Sequence, residues 1–252
     1  YKMSTWGGAN NDWYTNLVWF ADAGDASSIQ TNEDAWTGAR SITNANAQAK
    51  ILKLETEGQT LMRPVYVDGA TGTISARLDA NSFLITPHPL DRFSVLPEEL
   101  VLVRNGRCEA GKTPSYAALA HRTIYEAHPD VGSVVNANAS NCLAFSVCNK
   151  AIDTRTLPES YILLREVSLL PFETTFSNMA KMASTLSLRH PAAVLANNGV
   201  LVVGSDVVSV FDKLEVLDST AEAILGSLPI GGYVPIGKDA IDDIVKAFKL
   251  PR

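Results

Sequence analysis

Asn136 and Asn138 stand one residue apart at the end of an apolar run, Val131 to Val135. In a strand, residues i and i+2 point to one face, so a strand ending here brings two side chains onto one object. The residue types that usually occupy such a pair are two histidines holding a metal. Here both are carboxamides, which offer a neutral oxygen acceptor and an N–H₂ donor but no charge and no imidazole. A third carboxamide with turn chemistry, Asn198, lies in Asn197-Asn198-Gly199 between two short β-branched runs. The Asn136/Asn138 pair alone could bind a polar ligand or satisfy itself and nearby backbone.

Other candidates are scattered. His88 lies in a loop after a strand and is of the residue type that most often serves as a general acid or base, although a surface loop histidine reads the same way. Tyr161 follows Pro158-Glu159-Ser160 and carries a hydroxyl suited to proton donation. Tyr116 sits beside Ser115. His121 reads as a packing residue of a helix, His128 as a helix-end residue, and His190 as an exposed residue before Pro191.

The elements that must hold these groups follow from periodicity and punctuation. Strands are expected at Pro64–Val67, Thr73–Leu78, Ser82–Thr86 and Leu100–Arg104, the last closed by an Asn105-Gly106 turn. Thr113-Pro114 predicts a helix start running to His128, with a hydroxyl cap and proline at the first helical position. A helix is expected from Ser140 to Val147, a strand at Tyr161–Leu164, a helix from Phe176 to Leu188, and strands at Ala192–Ala196 and Gly199–Val203. A long amphipathic helix covers Val207–Leu225 and a short one Asp239–Phe248. Upstream, helices are expected near residues 12–23 and 37–58, the first in a Trp-rich arm.

Bulk properties bound the rest. The 252 residues are 46% hydrophobic and 19% charged, enough for a sizeable core. A net charge of −6 with no basic run argues against nucleic acid as a partner. No apolar run reaches the roughly 18 residues of a membrane span, so no membrane partner is expected. The three cysteines, none spaced Cys-x-x-Cys, read as reduced thiols of a cytoplasmic protein. The organisation is an N-terminal arm over 1–37, one α/β domain over 38–230 and a C-terminal extension over 231–252.

Ordered motifs across residues 40–228 resemble the class II aldolase/adducin family. Gly72-Thr73-Ile74-Ser75-Ala76-Arg77 is similar to its Gly-Asn-x-Ser-x-Arg strand, and Leu84-Ile85-Thr86-Pro87 to its Thr-Pro turn. Leu96-Pro97-Glu98-Glu99-Leu100-Val101 is similar to its Leu-x-Pro-Glu-Asp-Leu-Val. Pro114-Ser115 with His121 and Tyr125 follows its Pro-Ser-Ser-Glu helix, Pro129-Asp130-Val131 leads into its metal strand, and Asn197-Asn198-Gly199 stands where it has Asn-His-Gly. The resemblance implies a three-layer α/β/α fold with a mainly antiparallel central sheet, a homotetramer, and zinc-dependent cleavage of sugar phosphates in carbohydrate metabolism. In that family the three zinc ligands stand at positions 136, 138 and 198 and the catalytic glutamate at 117. This chain has Asn136, Asn138, Asn198 and Ala117 there.

The expectation is therefore a lyase-like pseudoenzyme without a cofactor. Zn2+ would enter only if the substituted site still held it. Such a protein binds a small polar molecule, a sugar or sugar phosphate, or serves as an oligomeric scaffold. The expected ligand contacts are Asn136, Asn138, Asn198, Ser75, Thr86, Ser115 and Tyr116. The alternative is a carbon–carbon lyase or isomerase/epimerase using relocated residues, with His88 and Tyr161 as catalytic candidates.

Overall fold

The computed structural model describes residues 72–88 and 96–250, which fall into two compact units divided after Ala118. The expected arm, the helices near 12–23 and 37–58 and the strand at 64–67 lie outside the described residues.

The first unit is an antiparallel meander. Strands β1 (Thr73–Asp79), β2 (Ser82–Ile85), β3 (Val101–Arg104) and β4 (Arg107–Cys108) lie in the order β4-β3-β2-β1. The β1–β2 turn is held by Asp79, whose carboxylate accepts from Asn81 N at 2.8 Å and Ser82 Oγ at 2.6 Å. The β3–β4 turn places Asn105 and Gly106 at φ of 50° and 73°, the geometry the Asn-Gly pair favours in a two-residue hairpin.

The helix expected from Thr113-Pro114 begins later, as α1 (Ala118–Ala127). Backbone pairing explains the delay. His88 N donates to Thr113 O at 2.9 Å and Ser115 N to Thr86 O at 3.0 Å, with Pro87 bridged to Pro114. The backbone at 113–115 is thus committed to a strand-like partner and cannot also open a helix.

The second unit contains β5 (Ser133–Ala137), β6 (Ser168–Leu170), β7 (Ala192–Leu195) and β8 (Val200–Gly204) in the order β5-β8-β7-β6. Only the β6–β7 pairing is parallel among those within the two units, so the expected mainly antiparallel α/β fold is found. Helix α2 (Ser140–Val147) has the expected bounds. Helix α3 (Pro158–Leu164) replaces the strand expected at Tyr161–Leu164. Its run of four large side chains is too short for periodicity to decide, and Pro158 at the first helical position decides it. The helix expected from Phe176 to Leu188 is two, α4 (Thr174–Ser177) and α5 (Met179–Thr185), broken at Asn178 with φ −140° and ψ 56°. Asn178 then caps α5 by accepting from Lys181 N at 3.1 Å.

The long helix α6 (Val207–Ser227) is capped by Asp206, which accepts from Ser209 N at 2.7 Å. Val210, Phe211, Leu214, Leu217, Ala221 and Ile224 form its buried stripe, and it packs on β5, β8, α2 and α3. Burying a stripe of this kind stabilises by roughly 1.5–3 kcal/mol per large side chain before chain entropy is set against it. Helix α7 (Lys238–Ala247) closes the described chain. No helix among the described residues is long and apolar enough to cross a membrane.

Candidate functional site

Strand β5 carries Asn136 opposite Leu201 of β8 and ends at Ala137, which leaves Asn138 just beyond the ladder. Both asparagines are half-buried, as is Asn198. His121 on α1 is fully buried, and its Nε2 lies 2.8 Å from Asn136 Oδ1. A carboxamide oxygen only accepts, so Nε2 carries the proton. Burial pushes the His121 pKa down to about 4, outweighing the upward pull of the Asn136 hydrogen bond, so the ring is neutral near pH 7. The bond leaves the Asn136 N–H₂ as the edge directed away from His121.

Asn138 is brought against the turn that carries Asn198. A Cβ at Gly199 would sit 2.6 Å from Asn138 Oδ1 and 2.3 Å from Ala137 O, so only glycine admits this approach. Asn197 and Gly199 take φ of 56° and 73°. The fully buried Ser146 of α2 holds the turn. Its Oγ donates to Leu195 O at 2.6 Å and accepts from Asn198 N and Gly199 N, both at 3.0 Å. The Asn198 carboxamide has no hydrogen-bonding partner among the described residues. Truncating Ser146 leaves the Gly199 N–H without its acceptor, while Asn198 N keeps Leu195 O at 3.0 Å, so Ser146→Ala is expected to lose about 1–2 kcal/mol in chemical denaturation.

The start of α2, two residues after Asn138, is fixed by a buried carboxylate. Asp218 of α6 accepts from Asn141 N and Cys142 N, both at 3.1 Å, and from Asn141 Nδ2 at 3.0 Å. Ala139 at the cap position has no side chain for this role, and Asp218 supplies it from across the fold. Burial, followed by the Asp218 charge, pushes the Cys142 thiol well up, which keeps it protonated and unreactive.

In the first unit, Thr73 Oγ1 and Ser115 Oγ are hydrogen-bonded at 2.5 Å, and both are buried. Thr86 is fully buried and its Oγ1 has no hydrogen-bonding partner among the described residues. Backbone bonds from Thr86 N to Ile74 O and from Ser115 N to Thr86 O tie these three positions together. Ser75 is buried on β1 opposite Ile85. Tyr116 is 84% exposed and its ring centroid lies 4.1 Å from that of His88. Ala117 presents a half-buried methyl group.

Tyr161 lies on α3, beside a cavity that none of the three asparagines lines. Sequence reasoning assigned His121 to packing and gave Ser146 and Asp218 no role. Each acts through a partner at least 15 residues away, and only a polar residue on an otherwise buried helix face signalled any of them.

The α/β architecture is that of the class II aldolases. The structure aligns with YgbL from Klebsiella pneumoniae at a TM-score of 0.71 and 20% identity, covering 81% of this chain and 100% of that one. In sequence, the chain is 32% identical over 174 residues to the 3-oxo-tetronate 4-phosphate decarboxylase of Haemophilus influenzae, spanning 66% of this chain and 81% of that protein. It is 30% identical over 159 residues to the L-fuculose phosphate aldolase of Methanococcus maripaludis, spanning 62% and 86%. Residues 54–225 match the family described as Class II Aldolase and Adducin N-terminal domain. The chain belongs to this family.

Proposed function

We propose that this protein binds a small sugar-like or sugar-phosphate ligand through the carboxamides of Asn136, Asn138 and Asn198, and that it does not hold zinc at those positions. The observation that carries this reading is the hydrogen bond between His121 Nε2 and Asn136 Oδ1. The better metal-donating atom of Asn136 is engaged by an N–H. The edge left is a hydrogen-bond donor, which suits a hydroxyl, carbonyl or oxyanion and repels a cation. Three neutral amides also supply none of the imidazole or thiolate that zinc prefers, so the residues do not fit the metal. With Ala117 at the proton-transfer position, no carboxylate stands there to move a proton.

The protein is expected to emerge from purification with far less than one zinc per chain. Plasma emission analysis tests this, and stoichiometric zinc that survives dialysis against a chelator would overturn it. We further propose a cytoplasmic location and a homotetrameric assembly, with the arm at 1–37 and the extension at 231–252 flanking one functional domain.

A second reading, an active lyase or isomerase of sugar metabolism, draws on the relatives. Their names assign them decarboxylation of a 3-oxo-tetronate phosphate and aldol cleavage of L-fuculose phosphate. The adjacent His88 and Tyr116 rings, tilted 47° to one another, would be its relocated acid–base groups. Turnover of either phosphate that persists in chelator and disappears in His88→Ala would favour it over binding alone.

A further inference from the structure

The second unit contains a cavity of about 530 Å³, within the size range of small-molecule sites. Three structural pieces line it: α3 and the residues after it, residues Leu188, Arg189 and His190, and α7 with Leu250. We propose that it binds a small organic oxyanion, a carboxylate or a phosphate.

Charge is the first argument. Arg165, Arg189 and His190 all line the cavity, and among the described residues none of them has an ion-pair partner. Two carboxylates also line it. Asp242 accepts from Lys238 Nζ at 2.6 Å, so its charge is matched. Glu166 alone opposes two arginines, and the balance stays positive. Leu188 and Val245 give the cavity an apolar wall, which suits an organic anion over a bare inorganic one.

Backbone geometry is the second argument. Arg165 has φ 57° and ψ −127°, a region that glycine occupies far more readily than a residue with a Cβ. Its carbonyl is tied down by Thr154 Oγ1 and its N–H donates to Tyr161 O at 3.1 Å, so the strain is held in place. The guanidinium carbon lies 5.5 Å from the Tyr161 ring centroid, which keeps the cation over the cavity wall. Across from it, Ser187 Oγ accepts from Arg189 N at 3.2 Å and His190 N at 3.1 Å, which fixes the turn that presents the other two groups. A strained arginine where glycine would fit better is explained if its side chain serves a ligand.

Isothermal titration of the full chain with inorganic phosphate and, separately, with succinate tests the proposal and distinguishes the two anion classes. At least one is expected to bind saturably at one site per chain, in buffer matched for ionic strength with sodium chloride. Arg165→Gly is expected to weaken that binding tenfold or more without lowering the melting temperature, because it relieves the backbone while removing the cation. Arg189→Ser provides the same binding test without touching the strained residue. The proposal is overturned if neither anion binds saturably at millimolar concentration. It is equally overturned if binding is unchanged in both variants, including the case in which Ser115→Ala alone abolishes it.

Discussion

Gly199→Ala is expected to destabilise the protein by about 4 kcal/mol or more, a size that marks failure of the local fold and not adjustment. Two independent costs combine. The added Cβ would stand 2.3 Å from the Ala137 carbonyl oxygen, a backbone atom that cannot rotate away. The residue also sits at φ 73°, where any Cβ is penalised by roughly 1–2 kcal/mol before contacts are counted. Relief would require β5 and β8 to separate at Ala137↔Val200, the pairing next to Asn138 and Asn198. Urea denaturation should therefore show a large fall in midpoint or no cooperative transition. A variant within about 1 kcal/mol of the parent would show that the turn is far looser than the geometry requires.

The second large effect depends on pH. His121 has a folded pKa of about 4, below the 6.5 of a solvated histidine. Between those values the unfolded chain takes up a proton that the folded chain refuses. Stability conferred by the neutral buried ring is thus complete above about pH 6.5, falls as the pH drops, and levels off below about pH 4. The span corresponds to about 3 kcal/mol. Other groups titrate over the same range, so the measurement is a difference. His121→Gln retains a neutral side-chain N–H for Asn136 Oδ1 and is expected to lose this component. Its stability relative to the parent should improve by about 3 kcal/mol between pH 7 and pH 4. A parallel pH dependence for the two proteins would place a proton on His121 in the folded state and remove the basis for assigning its tautomer.

Much of this architecture could be read from local signals, because local signals caused it. Asn105-Gly106 and Asn197-Asn198-Gly199 mark hairpins since few other residues accept their positive φ. The β-branched runs on either side became β7 and β8, and the stripe through Val210, Leu214, Leu217 and Ala221 became the buried face of α6. The errors arose where a distant partner overrode a local preference. Thr113-Pro114 has the chemistry of a helix start, but residues 86–88 claim its backbone. The Tyr161–Leu164 run carries no period long enough to choose between strand and helix.

The candidate site was legible in a different way. Spacing set Asn136 and Asn138 on one strand end and the family resemblance added Asn198 to them, and the fold brings the Asn198 turn against Asn138. Spacing could not reveal that Asn136 turns its oxygen to His121, because that bond joins a helix to a strand through side-chain orientation alone. Nor could it show that Thr73 pairs with Ser115 while the Thr86 hydroxyl has no partner among the described residues. Orientation decides which sign of ligand each group attracts, so the chemistry was less visible than the framework.

Ser146 holds the Asn198 turn through two atoms, its hydroxyl and its carbonyl, the latter accepting from Asn197 N at 3.0 Å. Moving that turn away from the last turn of α2 must break four hydrogen bonds, three to the hydroxyl and one to the carbonyl. Whatever Asn198 holds is therefore positioned by α2 as well as by the residues that touch it, and a substitution at the end of α2 would be felt there without any direct contact.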